Sequence, residues 1–247
     1  MSIRGVYGRP FLNLDSLIDI NTYQGLINEM LIGISKSWVD KGVVSCGSRV
    51  DEKKLELCEV LRNPQNFLNP EQVETLIGLS NLHQKAWYCS LLLPVHHPYS
   101  LVFIRRERNF IEKHLENSCE WTGNAQYFPK TCEFVKSLPF EQVGRILFFM
   151  SEPNAETLIH YDSSTPESRG RPNTEMIYFR PFLRKKLFIW DETTSIKHHL
   201  VGHASYWNDM DWHGVDPSDT KSISLRIDGV FNSEFRKLLA AGQELKY

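Results

Sequence analysis

Four short stretches of the chain hold side chains whose types and spacing suit chemistry: Leu158–Asp162, Glu175–Arg180, Gly202–Val215 and Lys221–Asp228. His160 and Asp162 are two residues apart, so on a strand they project from the same face. A later imidazole, His213, can complete a facial set of three ligands. Two imidazoles and one carboxylate leave three positions open on a metal, which suits non-haem Fe(II) working on O2. Nine His are present, so the same residues also allow a plainer reading, a surface His–Asp pair holding no metal.

Such a trio needs strands to hold it. Val143–Met150 reads as a strong strand, Glu152–Ala155 as a turn and Thr157–Asp162 as a second strand, which places His160 and Asp162 at the end of a β-hairpin. The polar segment Ser163–Asn173 reads as a loop. Further strands are expected at Thr174–Phe182, Lys186–Trp190, Ala204–Trp207 and Ser222–Val230. Between Ser222 and Asp228 the period is two, so Ser222, Ser224, Arg226 and Asp228 share one face and Ile223, Leu225 and Ile227 the other; the polar set should line the interior.

Upstream, the apolar rhythm of residues 10–40 predicts one or two short amphipathic helices. Asp51–Leu61 reads as a helix with acidic residues in its first turn, and Asn69-Pro70 opens another, Asn as N-cap and Pro at N1. Val43–Val50 fits a short strand or a loop equally. Ala86–Val95 and Tyr99–Ile104 read as strands, Lys130–Leu138 as a short helix, and Asn232–Leu239 as a capped closing helix with Phe235, Leu238 and Leu239 inward. Many short strands preceded by helices predict an antiparallel sandwich or barrel buttressed by helices.

Hydrophobic residues are 41% of the 247 and charged residues 23%, ordinary globular values, and no run of about 18 apolar residues offers a membrane span. The opening MSIRGVYGRPF lacks the apolar core and small-residue cleavage site of a secretory leader, so a cytoplasmic location is expected. Cys46, Cys58, Cys89, Cys119 and Cys132 are odd in number and contain no C-x-x-C pair; they read as reduced, packed thiols. A net charge of −2, with no basic block among aromatics, argues against nucleic acid as a partner. Nothing in the sequence speaks to oligomeric state.

Phe128-Pro129-Lys130-Thr131 ahead of a short helix, then VGRILFFMSEPNAETLIHYD, then Gly202, Trp207-Asn208-Asp209, His213-Gly214-Val215 and Arg226-Ile227-Asp228 form a pattern over about residues 125–231. It resembles the double-stranded β-helix Fe(II)/2-oxoglutarate-dependent oxygenases, and within them the aspartyl/asparaginyl β-hydroxylase-like branch that includes cis-proline hydroxylases. The resemblance implies a mainly β fold with flanking helices around a jelly-roll, cupin-like core. One domain is expected over 1–247: a helix-rich elaboration with the first strands at 1–125, the core at 126–231 and a C-terminal helix at 232–247. Fe(II), 2-oxoglutarate and O2 are implied, with an amino acid, a small metabolite or a peptidyl side chain hydroxylated and succinate and CO2 as coproducts.

On that resemblance His160, Asp162 and His213 are the iron ligands. The carboxylate at Asp162 argues for hydroxylation or desaturation, because halogenating relatives carry a small residue there. Arg226 would hold the distal carboxylate of 2-oxoglutarate, a guanidinium pairing bidentately with a carboxylate, with Ser224 and Tyr178 beside it. The basic residue of the branch lies somewhat closer to the distal His, which makes Lys221 a rival, although its parity is that of the apolar face. A structural Arg226–Asp228 pair is the plainer alternative. Arg180 is left between cosubstrate, substrate and surface charge. Trp190, Trp207 and Trp212 are expected to pack in the core or around the site, Trp190 and Trp207 beside the ligands, and His198, His199 and His203 to lie in loops. Two other classes stay open: a cupin-type metal dioxygenase or isomerase that does not use 2-oxoglutarate, and a non-catalytic β-sandwich binding module.

Overall fold

The structure is a computed structural model that describes residues 3–38, 55–79, 85, 88–89, 92–93, 95–96, 100–151, 153–154, 157–160, 162 and 173–241. Val43–Val50, Asp51–Lys54 and Ser163–Pro172 lie outside the described residues.

The described strands are β1 (Phe11–Asn13), β2 (Leu55–Glu56), β3 (Val95–His96), β4 (Ser100–Glu107), β5 (Cys119–Trp121), β6 (Phe140–Ser151), β7 (Thr157–His160), β8 (Glu175–Phe179), β9 (Lys186–Asp191), β10 (Ile196–His199), β11 (Ala204–Trp207), β12 (His213–Asp216) and β13 (Ser222–Phe231). A seven-stranded sheet runs β1-β11-β8-β13-β6-β4-β5 and a four-stranded sheet runs β10-β9-β12-β7, while β2 and β3 form a small parallel pair. Every ladder in the two larger sheets is antiparallel. From β6 onward the chain winds between them: β6 and β8 in the larger sheet enclose β7 in the smaller, β9 and β10 stay in the smaller, β11 returns, β12 crosses and β13 returns. That winding is the double-stranded β-helix, a mainly β jelly-roll core flanked by helices.

It also corrects the expected hairpin. β6 and β7 lie in different sheets, so the turn at Pro153-Asn154 is a corner; Asn154 takes φ +62° there, a conformation Asn tolerates. Ala86–Val95 is a second correction: Tyr88, Cys89 and Leu92 are helical, and the Leu93 N–H donates to the Cys89 carbonyl four residues back. Cys89 packs with Val60, Leu68 and Leu76 in a small separate core, a burial that an apolar run satisfies as a helix face as well as in a strand. His198 and His199 sit on β10, not in a loop, and Leu238 is exposed on the closing helix, Ser233–Ala240.

Alternation along β13 divides its side chains as the period of two requires, yet both faces are buried. Leu225 and Ile227 join the main apolar core, to which the N-terminal helices Ile20–Gly25 and Ile27–Lys36 and the helix Pro129–Ser137 also contribute. Tyr23 stacks 4.4 Å from Phe179 and 6.0 Å from Phe134. Burying each such ring contributes about 1.5–3 kcal/mol. Glu29 ties the layers together: its carboxylate accepts from the Lys130 and Thr131 N–H groups at the open N-terminus of Pro129–Ser137.

One close approach matters for the site. Gly144 on β6 faces the segment at Lys113 and His114 so closely that a Cβ there would lie 2.2 Å from the Lys113 carbonyl oxygen and 2.7 Å from the His114 backbone. Only backbone stands in the way, so the segment itself must move to admit a methyl group. Gly144→Ala is expected to destabilise the fold by about 1–3 kcal/mol, read as a lower urea midpoint with an unchanged m-value.

Candidate active site

The two sheets bring the distal imidazole next to the first ligand strand. His213 opens β12 and stands opposite His160 of β7 in the ladder; on its other side it faces Ile189 of β9. Gly214 permits this closeness, since a Cβ there would lie 2.8 Å from the Thr157 carbonyl oxygen. The His213 Nδ1–H donates to the Asp211 carbonyl oxygen at 2.9 Å, which orients the ring. The His213 Nε2 is 3.4 Å from Asp162 Oδ1.

Asp162 follows β7 and is fixed at both ends. Its backbone N–H donates to the Asp209 carbonyl at 2.9 Å. Its Oδ2 accepts from an Arg226 guanidinium nitrogen at 2.7 Å and lies 3.3 Å from the Lys113 ammonium. Burial works against ionisation here, but the charges of Lys113 and Arg226 and the His213 contact outweigh it and hold the carboxyl well below the usual carboxylate range.

The cations belong to a larger buried network. Arg226 Nε pairs with Asp228 Oδ1 at 2.7 Å, Arg145 Nε with Asp228 Oδ2 at 2.7 Å, and Arg145 also reaches Glu107 at 3.1 Å. Lys113 pairs with Asp209 at 2.9 Å, and Asp209 also accepts the Thr174 N–H. Among the described contacts Lys113, Arg145 and Arg226 thus face Asp162, Asp209, Asp228 and Glu107. Burial likewise opposes ionisation of Asp228, and Arg145, Arg226 and Lys113 draw its carboxyl down.

The donor types fit a metal of the Fe(II) kind: the His213 imidazole stands 3.4 Å from an Asp162 carboxylate oxygen, and β7 brings His160 opposite His213 in the ladder. Among the described residues no group of three His, Cys, Asp or Glu side chains gathers at metal-binding spacing.

The remaining expected residues fall in three places. Arg226 lies inside the barrel but engages Asp162 and Asp228, so the Arg226–Asp228 pair left open as an alternative is formed. Lys221 is exposed, just before β13. Tyr178 and Ser224 meet, the phenol donating to Ser224 Oγ at 2.6 Å. Arg180 is buried and is not a surface charge; its guanidinium donates to the Lys185 carbonyl at 3.2 Å and the Gly202 carbonyl at 2.5 Å. Trp207 lies between the two groups, its ring 5.0 Å from Tyr178 and 6.0 Å from His213, with its Nε1–H buried and unpartnered among the described residues. Trp190 corrects the expectation: Ile189 faces His213 in the ladder, so the next residue turns to the opposite side of the sheet, beside Lys197.

Three residues were missed. Lys185 is buried, its Nζ 3.2 Å from Ser224 Oγ, over the rings of Phe149 at 5.1 Å and Tyr178 at 5.7 Å. Among the described residues no carboxylate pairs with it. Its parity with Leu187 and Ile189 was the available signal, since Arg184 and Lys186 are exposed and Lys185 is not. Asp209 lay within the matched pattern but carried no role. Lys113 had no signal at all.

No family model matches the chain, and no curated protein matches it by sequence. Solved structures similar to it include a 2OG-Fe(II) oxygenase family oxidoreductase from Burkholderia pseudomallei, 10% identical, covering 53% of this chain and 68% of that one at a TM-score of 0.37. A viral collagen prolyl hydroxylase from Paramecium Bursaria Chlorella virus-1 is 11% identical over 66% of this chain and 92% of its own, TM-score 0.32. A cupin domain from Bordetella pertussis is 18% identical over 37% of this chain and 85% of its own, TM-score 0.25. The fold assignment rests on the strand order and winding. No helix among the described residues is long and apolar enough to cross a membrane.

Arg226→Met removes the only described cation shared by Asp162 and Asp228 through direct hydrogen bonds. It is expected to lower stability at pH 7 by about 3–5 kcal/mol, measured by urea unfolding. Both carboxyls titrate lower in the folded chain than their unfolded value of ~4, so their contribution is complete above that pH and fades as pH falls through the folded values. The gap between variant and parent should therefore narrow below about pH 4.

Proposed function

We propose that the chain is an Fe(II)/2-oxoglutarate-dependent dioxygenase that hydroxylates a C–H bond of an amino acid, a small metabolite or a peptidyl side chain. The observation that carries this reading is Lys185. An ammonium buried against Ser224 and two aromatic rings, without a carboxylate partner among the described residues, is costly unless an anionic ligand completes it. It shares the barrel interior with the Asp162 carboxylate and the His213 imidazole, 3.4 Å apart and of the types that ligate Fe(II).

In this reading His160, Asp162 and His213 hold the iron. Lys185, Ser224 and Tyr178 hold the distal carboxylate of 2-oxoglutarate, with Lys185 taking the part that the resemblance gave to Arg226. With O2 as the oxidant, bound iron and 2-oxoglutarate would direct one oxygen atom into a C–H bond and the other into succinate, with release of CO2. The protein's own work is orientation and exclusion of water. Ser224 and Arg226 share one face of β13 and are separated by a rise of about 7 Å, so that strand holds the cosubstrate's far end and the metal's carboxylate in fixed relation. Arg180 sets the Lys185 backbone by its bond to that carbonyl. Tyr178 keeps Ser224 Oγ oriented by donating to it.

The narrower branch is supported by the matched residues of the sequence, and this chain would depart from it by taking its basic residue from Lys185, just before β9. A substrate of amino-acid character, free or peptidyl, and a cytoplasmic setting without nucleic acid belong to the same proposal.

The experiment combines anaerobic binding with turnover. With Fe(II), ascorbate, 2-oxoglutarate and a panel of amino acids and peptides, succinate should form and one product should gain the mass of one oxygen atom. Lys185→Met should weaken 2-oxoglutarate binding by about thirtyfold or more, since truncating one partner of a buried charge pair costs ~2–5 kcal/mol. Fe(II) binding without any 2-oxoglutarate binding or succinate would replace this reading by the cupin-type one.

A further inference from the structure

We infer that Lys113 is a positioning residue of the metal centre: it fixes which oxygen of Asp162 the metal can take. This rests on the metal reading above and adds a residue from outside the eight strands that wind the core.

Asp162 has two oxygens with different surroundings. Oδ1 looks towards His213 Nε2 at 3.4 Å, while Oδ2 is held by Arg226 at 2.7 Å and Lys113 at 3.3 Å. Both Oδ2 contacts are charge-assisted, so a metal that chelated both oxygens would have to displace two cations. Binding through Oδ1 alone keeps both contacts and leaves one more coordination position open than chelation would. Arg226 by itself does not fix the carboxylate plane, because a single nitrogen contact permits rotation about it. Lys113 supplies the second direction. Its ammonium also binds Asp209 at 2.9 Å, and the Asp209 carbonyl takes the Asp162 N–H, so side chain and backbone of Asp162 are referred to the same neighbour.

Lys113 is rigidly delivered. It follows the turn Phe110–Glu112, its carbonyl accepts the Arg145 N–H at 2.8 Å, and its ammonium lies 4.4 Å from the Phe110 ring centroid. The bare backbone of Gly144 gives the segment its place on β6, since any side chain there would strike the Lys113 carbonyl. The side chain is fully enclosed. It touches neither Ser224 nor Tyr178 in any described contact, so its effect on the site passes through Asp162 and Asp209.

The test uses Co(II) as an anaerobic probe with the full chain, read by titration and by its visible absorption, which reports coordination. The variants are Lys113→Met, Asp209→Asn and the two together; the double variant removes both charges of one pair, so that folding survives where the single Lys113 change melts the protein. His213→Ala is the control for loss of a ligand. The expected result is Co(II) affinity about 10–100-fold lower and an altered absorption band when Lys113→Met is added to Asp209→Asn, with Lys113→Arg recovering part of both. Equal affinity and an identical band with and without Lys113, in a parent that binds Co(II), would overturn the inference and leave the metal reading standing. A parent that binds Co(II) no better than His213→Ala would remove the metal reading and this inference together.

Discussion

A carboxylate that must stay ionised inside a protein dictates most of what surrounds it. Asp162 is drawn from solvent into the barrel, where an isolated negative charge would take up a proton. The answer is a lattice of opposite charges. Arg226 and Lys113 hold its outer oxygen, Asp209 and Asp228 hold those cations in turn, and Arg145 and Glu107 complete the set at the far side. Each member is affordable only because the others are present, so the cluster forms as a unit and pins β6, β13 and the segment before β5 together.

The polar lattice occupies one face of β13 and the apolar core the other, and the period of two along Ser222–Asp228 makes both possible on one strand. Tyr178 and Phe179 repeat the division on β8. Tyr178 bonds Ser224 inside the barrel, while Phe179 packs against Tyr23 and Phe134. The helices are therefore not decoration on the barrel: they cover the apolar backs of the strands whose fronts carry the site.

Much of this was legible beforehand. Alternation in Ser222–Asp228 identified the inner face, turn residues marked most strands of the second half, and Asn69-Pro70 and Asn232 marked helix starts that the structure caps by those side chains. What stayed hidden depended on contacts remote in sequence. An apolar run such as Ala86–Val95 satisfies a strand or a helix face equally, and only its neighbours decide. The partner of Arg226 could not be read from its own strand, because Asp162 reaches it from the other sheet. Lys113 belongs to a polar turn with no periodicity, and its burial follows from the missing side chain of Gly144. Trp190 was expected near the site because large aromatics are mostly buried, a rule that carries no information on which face of a strand a side chain takes.

The N-terminal segment closes the account. Asp211, whose carbonyl orients the His213 ring, takes the Arg4 and Gly5 N–H groups on its carboxylate, across a sequence separation of 207 residues, and β1 adds to the sheet at β11. Arg4 and Gly5 thus find their partner more than two hundred residues away in sequence. Such non-local closure is slow and comes late in assembly. Until it closes, the Asp211 carboxylate lacks the two donors that steady it, so the step that completes the sheet edge also settles the residue that orients the His213 ring.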